Sequence, residues 1–335
     1  TTGSQNTAAG KSSLRNNTTG ESNTAYGFHS LEANMEGKYN TANGYNALSN
    51  NTTADYGTAI GAKALQANTT GLGNTAIGTN ALESNTTGSS NTVSGWNSMP
   101  ANTTGSSNVA MGVNSMSANT TGGFNTAIGS SSLGLNTTGE GNTATGNDAL
   151  YNNTTGGFNI AVGSNALNGN TEGGNNVAIG YSAGRQNTTG TGNVFIGNEA
   201  GNTSSYQTAS NKLVVANSDT ETPLIEGDFS AKTLKVNGSI EANSLIASVG
   251  DVQEITSNNQ NINYDSHVIP LNTSLSSSPN GLTIENGSIN GQRLTVINIS
   301  EKVMYLSVNS FQISTLGQGA SGDYIWYNEN WYVNQ

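Results

Sequence analysis

The sequence predicts an all-β protein: a parallel β-roll or solenoid of twelve 17-residue coils, then a linker, then a small antiparallel β tip. Composition is the first reason. Of 335 residues, 33% are hydrophobic, 9% are charged and 43 are Gly. That leaves roughly 43% for Ser, Thr, Asn and Gln, far above ordinary globular usage. Such a chain cannot fill one large core, so it is either disordered or repetitive. Phase decides between the two. The Gly that closes each Asn-Thr-Ala-Ile-Gly-like run stands at Gly10, Gly27, Gly44 and every seventeenth position to Gly197, twelve copies without an insertion. A disordered tract has no reason to hold length so strictly, whereas stacked coils must lie in register. Unit size is the third reason. A helix-turn-helix repeat needs about 34 residues, while 17 residues suit one coil with a short strand and Gly turns. Twelve coils at the strand spacing of about 4.8 Å extend roughly 55 Å.

Within the unit, Thr-Ala-Ile before the Gly reads as the strand, and Gly at the corner allows φ > 0 or close backbone approach. One Asn precedes the strand (Asn6, Asn23, Asn40, then Asn74 onward, with Gly57 the exception) and another follows the Leu (Asn17 to Asn187). Asn in register can stack as a hydrogen-bonded ladder. The residue two before each Gly is almost uniformly small (Ala8, Ala25, then Ala76, Val93 and finally Phe195), and the residue four after it is Leu or Met from Leu14 to Leu167. These two rows are the expected core. Charges such as Glu21, Glu32, Lys38, Asp55 and Arg185 avoid the Asn, Ala, Gly and Leu phases and mark the solvent side.

Strand alternation puts the residues flanking the alanine row on the opposite face. There stand Ile60, Ile77, Met111, Ile128, Val162, Ile179 and Ile196, with Val109, Ile160, Val177 and Val194 beside them. An apolar stripe on an outer face needs a cover, and copies of the same chain supply one, so these residues are the candidate subunit interface. Alternation fixes a face but not its direction; the reverse assignment, Ala outward and Ile inward, stays open at this point.

The runs Asn74–Ala81 and Asn125–Ser132 resemble the head repeat of trimeric autotransporter adhesins, the YadA-like left-handed β-roll, and also repeats of phage and injection-system tail fibres. The resemblance covers residues 1–204. It implies a homotrimer, left-handed coils and an adhesive or fibre role outside the cell. This chain departs from the adhesin pattern in its constant coil length and in the Leu and Asn-Thr-Thr-Gly segment. It also carries no pattern of long amphipathic strands of the membrane-anchor barrel type, which favours a fibre. The sequence opens without Met, basic region or apolar region, and Thr1-Thr2-Gly3 is in phase with Thr18-Thr19-Gly20. Further repeats or a shaft are therefore expected upstream.

After residue 204 the phase is lost. Residues 205–240 read as a β linker with strands at Leu213–Ala216, Leu224–Glu226 and Leu234–Val236. Residues 241–262 place Leu245, Val249 and Val252 at helical spacing, a short neck or coiled coil. Residues 263–335 form a β-sandwich-like tip, with strands at Leu294–Ile299, Val303–Val308 and Phe311–Ile313 and a closing hairpin through Tyr324–Tyr327 and Trp331–Val333.

Little in the chain suggests catalysis or cofactor binding. With no Cys, two His and ten Lys plus Arg, thiol chemistry, a metalloenzyme and nucleic-acid binding are all disfavoured. The net charge of -11 repels phosphate backbones and anionic membranes. His29 and His267 have no partner suggested by spacing, and the carboxylates of the repeat are staggered rather than paired as a glycosidase requires. No enzyme, metal or cofactor is expected; Asp219, Glu221, Glu226 and Asp228 read as solvated charge in preference to a Ca²⁺ site. The ligand-binding candidates are Tyr324, Trp326, Tyr327, Trp331 and Tyr332, which stack on a surface glycan if exposed and form the hairpin core if buried. Three functions follow in order of preference. The first is a trimeric tail fibre attaching to a glycan or protein on a bacterial surface and joined to an upstream fibre or baseplate protein. The second is a bacterial trimeric surface adhesin. The third, more remote, is an ice-binding solenoid using one of the paired Thr rows.

Overall fold

The computed structural model describes residues 2–238 throughout and, beyond them, eight strands between residues 261 and 333. The chain divides into two units, Thr1–Ile240 and Glu241–Gln335.

The first unit is a β-solenoid. Each coil supplies one three-residue strand, from β1 (Thr7–Ala9) to β12 (Val194–Ile196), and each pairs in parallel with the next. Partners are 17 residues apart at both ends of the stack, Thr7↔Thr24 and Val177↔Val194. Bonding between coils is not confined to these strands. The backbone N–H of Leu31 donates to Ala47 O (3.0 Å), and that of Thr18 donates to Met35 O (3.0 Å). Backbone groups are therefore satisfied around the coil, as burial demands.

The direction of the alternation is settled by burial. Ala25, Ala42, Ala59 and the rest of that row through Ala178 are fully buried, while Ile60, Ile128 and Ile179 remain 41–45% exposed. The leucine row packs against the alanine row, and so does a third row not singled out above, Ala47, Ala64, Ala81 and their equivalents, replaced by Ser at Ser98, Ser115 and Ser132. Where Ser enters this row its hydroxyl is bonded; that of Ser132 donates to Gly129 O (3.0 Å).

Two buried asparagine ladders complete the interior. Asn136 Nδ2 donates to Asn119 Oδ1 (2.9 Å) and to Gly139 O (3.1 Å). Asn125 takes part from the other side: its backbone N–H donates to Asn108 Oδ1 (3.0 Å) and its Nδ2 reaches the same Gly139 O (2.8 Å). One carbonyl thus joins both ladders wherever both asparagines are present. Where Gly57 interrupts the first ladder, Ala54 replaces the usual Gly three residues earlier. The Ala54 carbonyl still accepts from Asn40 Nδ2 (2.8 Å) and Asn51 Nδ2 (3.0 Å), as the Gly carbonyl does in other coils.

The corner Gly is required by the backbone. Gly129 has φ +132°, and a Cβ there would meet Gly146 O at 2.5 Å. More surprising is the leucine row itself, which occupies the left-handed region: Leu31 at φ 49°, Leu133 at 50°, Leu167 at 49°. Such a conformation costs on the order of 1 kcal/mol, less than the roughly 1.5–3 kcal/mol gained by burying a Leu. Burial wins.

Parallel stacking continues beyond residue 204. After a 3₁₀ turn at Ser204–Tyr206, β13 (Lys212–Val215) pairs in parallel with β12 at an offset of 19, Val194↔Leu213. It is followed antiparallel by β14 (Ile225–Asp228) and β15 (Thr233–Val236). In the last two repeats Gly184 and Gly201 replace successive members of the leucine row, and Phe195, between them, replaces Ala. The Phe195 ring fills the vacated space: a Cβ would come within 2.5 Å of it at Gly184 and 2.1 Å at Gly201. Tyr206 packs edge-on against the same ring, centroids 5.9 Å apart.

The second unit contains β16 (Asn261–Ile262), β17 (Val268–Leu271), β18 (Gly281–Ile284), β19 (Arg293–Asn298), β20 (Met304–Val308), β21 (Phe311–Leu316), β22 (Ser321–Tyr327) and β23 (Asn330–Val333). They form two four-stranded sheets, ordered β16-β18-β20-β21 and β17-β19-β22-β23. The strands expected here pair antiparallel with one another, β19 with β22, β20 with β21 and β22 with β23; the added strands β16, β17 and β18 bring in parallel pairs, β16–β18, β18–β20 and β17–β19, that an antiparallel tip does not have. Alternation marks a strand but carries no information about the direction of its neighbour. The helical neck expected at 241–262 lies outside the described residues except for Asn261–Ile262, which is strand.

Candidate functional site

The sequence candidates fall in two places. The isoleucine row runs along the outer face of the paired strands. Ile60, Ile77, Met111, Ile128, Val162, Ile179 and Ile196 are each 38–45% exposed, with Ile160 at 42% beside them. One apolar side chain follows another at the inter-strand spacing of about 4.8 Å, broken only by Ser94 and Thr145. The terminal aromatics lie on β22 and β23, whose register pairs Trp326 with Trp331, Ile325 with Tyr332 and Tyr324 with Val333. The hairpin is formed as the alternation suggests. The exposure of these aromatic side chains lies outside the described residues.

A second cluster arises in the early coils. The residue after the corner Gly is Phe28 in one coil and Tyr45 in the next, and their rings stack at 5.7 Å with planes 7° apart. They line an open groove of about 290 Å³ whose other walls include His29, Glu32, Asn46 and Gln66. His29, at φ 58°, holds its imidazole Nδ1 against Glu32 Oε2. Arg15, one coil away, approaches Glu32 Oε1 at 3.5 Å. The hydrogen bond from His29, reinforced by the positive charges of His29 and Arg15, keeps the Glu32 carboxyl below the usual carboxylate range, against the opposing pull of burial. The expectation that His29 has no partner is thus overturned. A His-x-x-Glu step was present in the sequence; in a coil with left-handed residues it brings the two side chains together.

The acidic residues of the linker take separate partners. Asp228 binds Lys212 Nζ (2.5 Å), and that bond, then those to Ser230 and Ala231, holds its carboxyl well below the ordinary range. Glu226 accepts from Tyr206 Oη (3.2 Å), and Glu221 accepts from Ser205 Oγ (2.7 Å). Among the described residues no three His, Cys, Asp or Glu side chains converge as a metal site, and no helix is long and apolar enough to cross a membrane. The first Thr of each pair turns its hydroxyl onto the next coil, as Thr120 Oγ1 does to Thr137 O (3.1 Å). Only the second Thr, as at Thr121 and Thr138, is exposed with no such bond. Compared with family models, curated proteins and solved structures, the chain finds a match in none of the three.

Proposed function

We propose that the chain is a non-enzymatic, homotrimeric attachment protein of the tail-fibre kind, wound as a left-handed β-roll and acting outside the cell. The solenoid is its stalk, and residues 263–335 are the unit that meets a glycan or protein on a bacterial surface. The observation that carries this reading is the isoleucine row: an apolar flank from Ile60 to Ile196, interrupted at Ser94 and Thr145 and left uncovered. Covering that flank with sister chains removes apolar surface from water at about 25 cal/mol per Å², and a closed ring of three requires no second kind of interface. A second reading is a bacterial surface adhesin with the same trimeric head.

Light scattering tests the assembly. The full chain is expected at three times its 34.2 kDa mass, and Ile77→Asp with Ile128→Asp is expected to release monomers; a wild-type monomer that keeps its β signal refutes the trimer. A chain lacking residues 263–335 is expected to lose attachment to host cells while its solenoid stays folded. Full attachment by that shortened chain would move binding to the stalk.

A further inference from the structure

We propose that the groove around Phe28 and Tyr45 is a saccharide-binding subsite on the side of the solenoid, separate from the terminal unit. A break in the repeat first points to it. Along the row that follows the corner Gly, only Phe28 and Tyr45 put aromatic rings in successive coils; the next members are Ala62 and Thr79. Both rings are far from hidden, 40% and 50% exposed, so the repeat's own packing does not account for them. The C–H faces and edges of a pyranose ring pack on such surfaces, as apolar groups do on any aromatic side chain.

The remaining walls supply the polar half of the recognition. Glu32 presents an ionised carboxylate fixed by His29 and Arg15, and sugar hydroxyls donate to carboxylates in charge-assisted bonds. Asn46 and Gln66 offer amide donors and acceptors to neighbouring hydroxyls. The groove lies just below the roughly 300–1,000 Å³ range of small-molecule sites, which suits one or two sugar rings. Its openness and polar walls fit a ligand that stays partly hydrated, not a lipid or an apolar peptide. The carboxylate, on a chain of net charge -11, selects against acidic sugars and for neutral or amino sugars. None of the groove residues belongs to the isoleucine row, so an assembly closed on that row leaves them in place.

Saturation-transfer NMR on the full chain tests this with three probes at millimolar concentration: methyl α-glucopyranoside, methyl β-galactopyranoside and N-acetylglucosamine. Transfer to at least one probe is expected. Tyr45→Ala should weaken it about tenfold and Glu32→Gln by about threefold, while Trp96→Ala, in the same row but outside the groove, should leave it intact. Tyr45→Leu keeps the bulk of the side chain and removes the ring, and is used if the Ala variant fails to give the wild-type circular dichroism. No transfer from the wild type to any probe overturns the proposal, as does transfer that survives both Tyr45 variants. Transfer lost in Trp331→Ala but retained in the Tyr45 variants places the sugar on the terminal unit: it overturns the groove and supports the terminal attachment reading, so the two claims fail separately.

Discussion

Left-handed residues with large side chains recur from Leu14 to Leu167, and their fates differ by where the side chain goes. Leu133 (φ 50°) is fully buried, whereas Phe124 (φ 58°) is 71% exposed. Replacing either with Gly relieves the same backbone strain, on the order of 1 kcal/mol. Leu133→Gly also empties a close-packed interior, and a net loss of roughly 2–4 kcal/mol is expected. Phe124→Gly loses little packing and should stay within about 1 kcal/mol of the parent. Urea unfolding of the two variants checks the contrast; equal losses would mean that strain, not burial, sets the outcome. Two of the three core rows, alanine and leucine, were legible in the sequence because every seventeenth residue repeats its burial; the third, Ala47 and its equivalents, was not singled out. The left-handed backbone was not, because Leu disfavours it and nothing in the pattern distinguishes a Leu held there from one in a strand. The groove was missed for a related reason: the repeat directs attention to what is constant, and Phe28, Tyr45 and Glu32 are departures from it.

At the level of the coil, departures come as compensating sets. Phe195 with Gly184 and Gly201 keeps the interior filled where the leucine row ends. Phe195→Ala alone should cost about 3–5 kcal/mol by leaving a cavity. Gly184→Leu alone should be strongly destabilising, since its Cβ would sit 2.5 Å from the Phe195 ring. Combining Phe195→Ala with Gly184→Leu and Gly201→Leu restores the repeat consensus and should recover most of the loss. Additive losses in this cycle would contradict the shared-space account. The same end of the solenoid should respond to alkali. Desolvation, then the nearby Glu226 carboxylate, pushes the Tyr206 hydroxyl up to about 12 from an ordinary value of 10. A raised pKa contributes stability that is complete below 10 and is lost as pH climbs through 12. The urea midpoint of the solenoid should therefore fall across that window, and Tyr206→Phe should remove that step. That β13 continues the parallel sheet was hidden from the sequence by its 19-residue coil: two extra residues and a 3₁₀ turn break the phase without breaking the stack.

For the solenoid as a whole, stability is a sum of coils and of contacts between neighbouring coils. The strict unit length made this architecture readable from spacing alone, while the parallel pairs in the terminal unit escaped notice because alternating residues do not reveal strand direction. Each coil hands the next the same asparagine acceptors, the same carbonyls and the same apolar flank. A gene with such a segment can therefore gain or drop one whole unit by unequal crossing-over and still encode a protein that closes on itself, since the coils on either side of the seam present matching surfaces. Reach from one end to the other becomes a quantity that recombination can tune in steps of one inter-strand spacing, without a single new contact having to be invented.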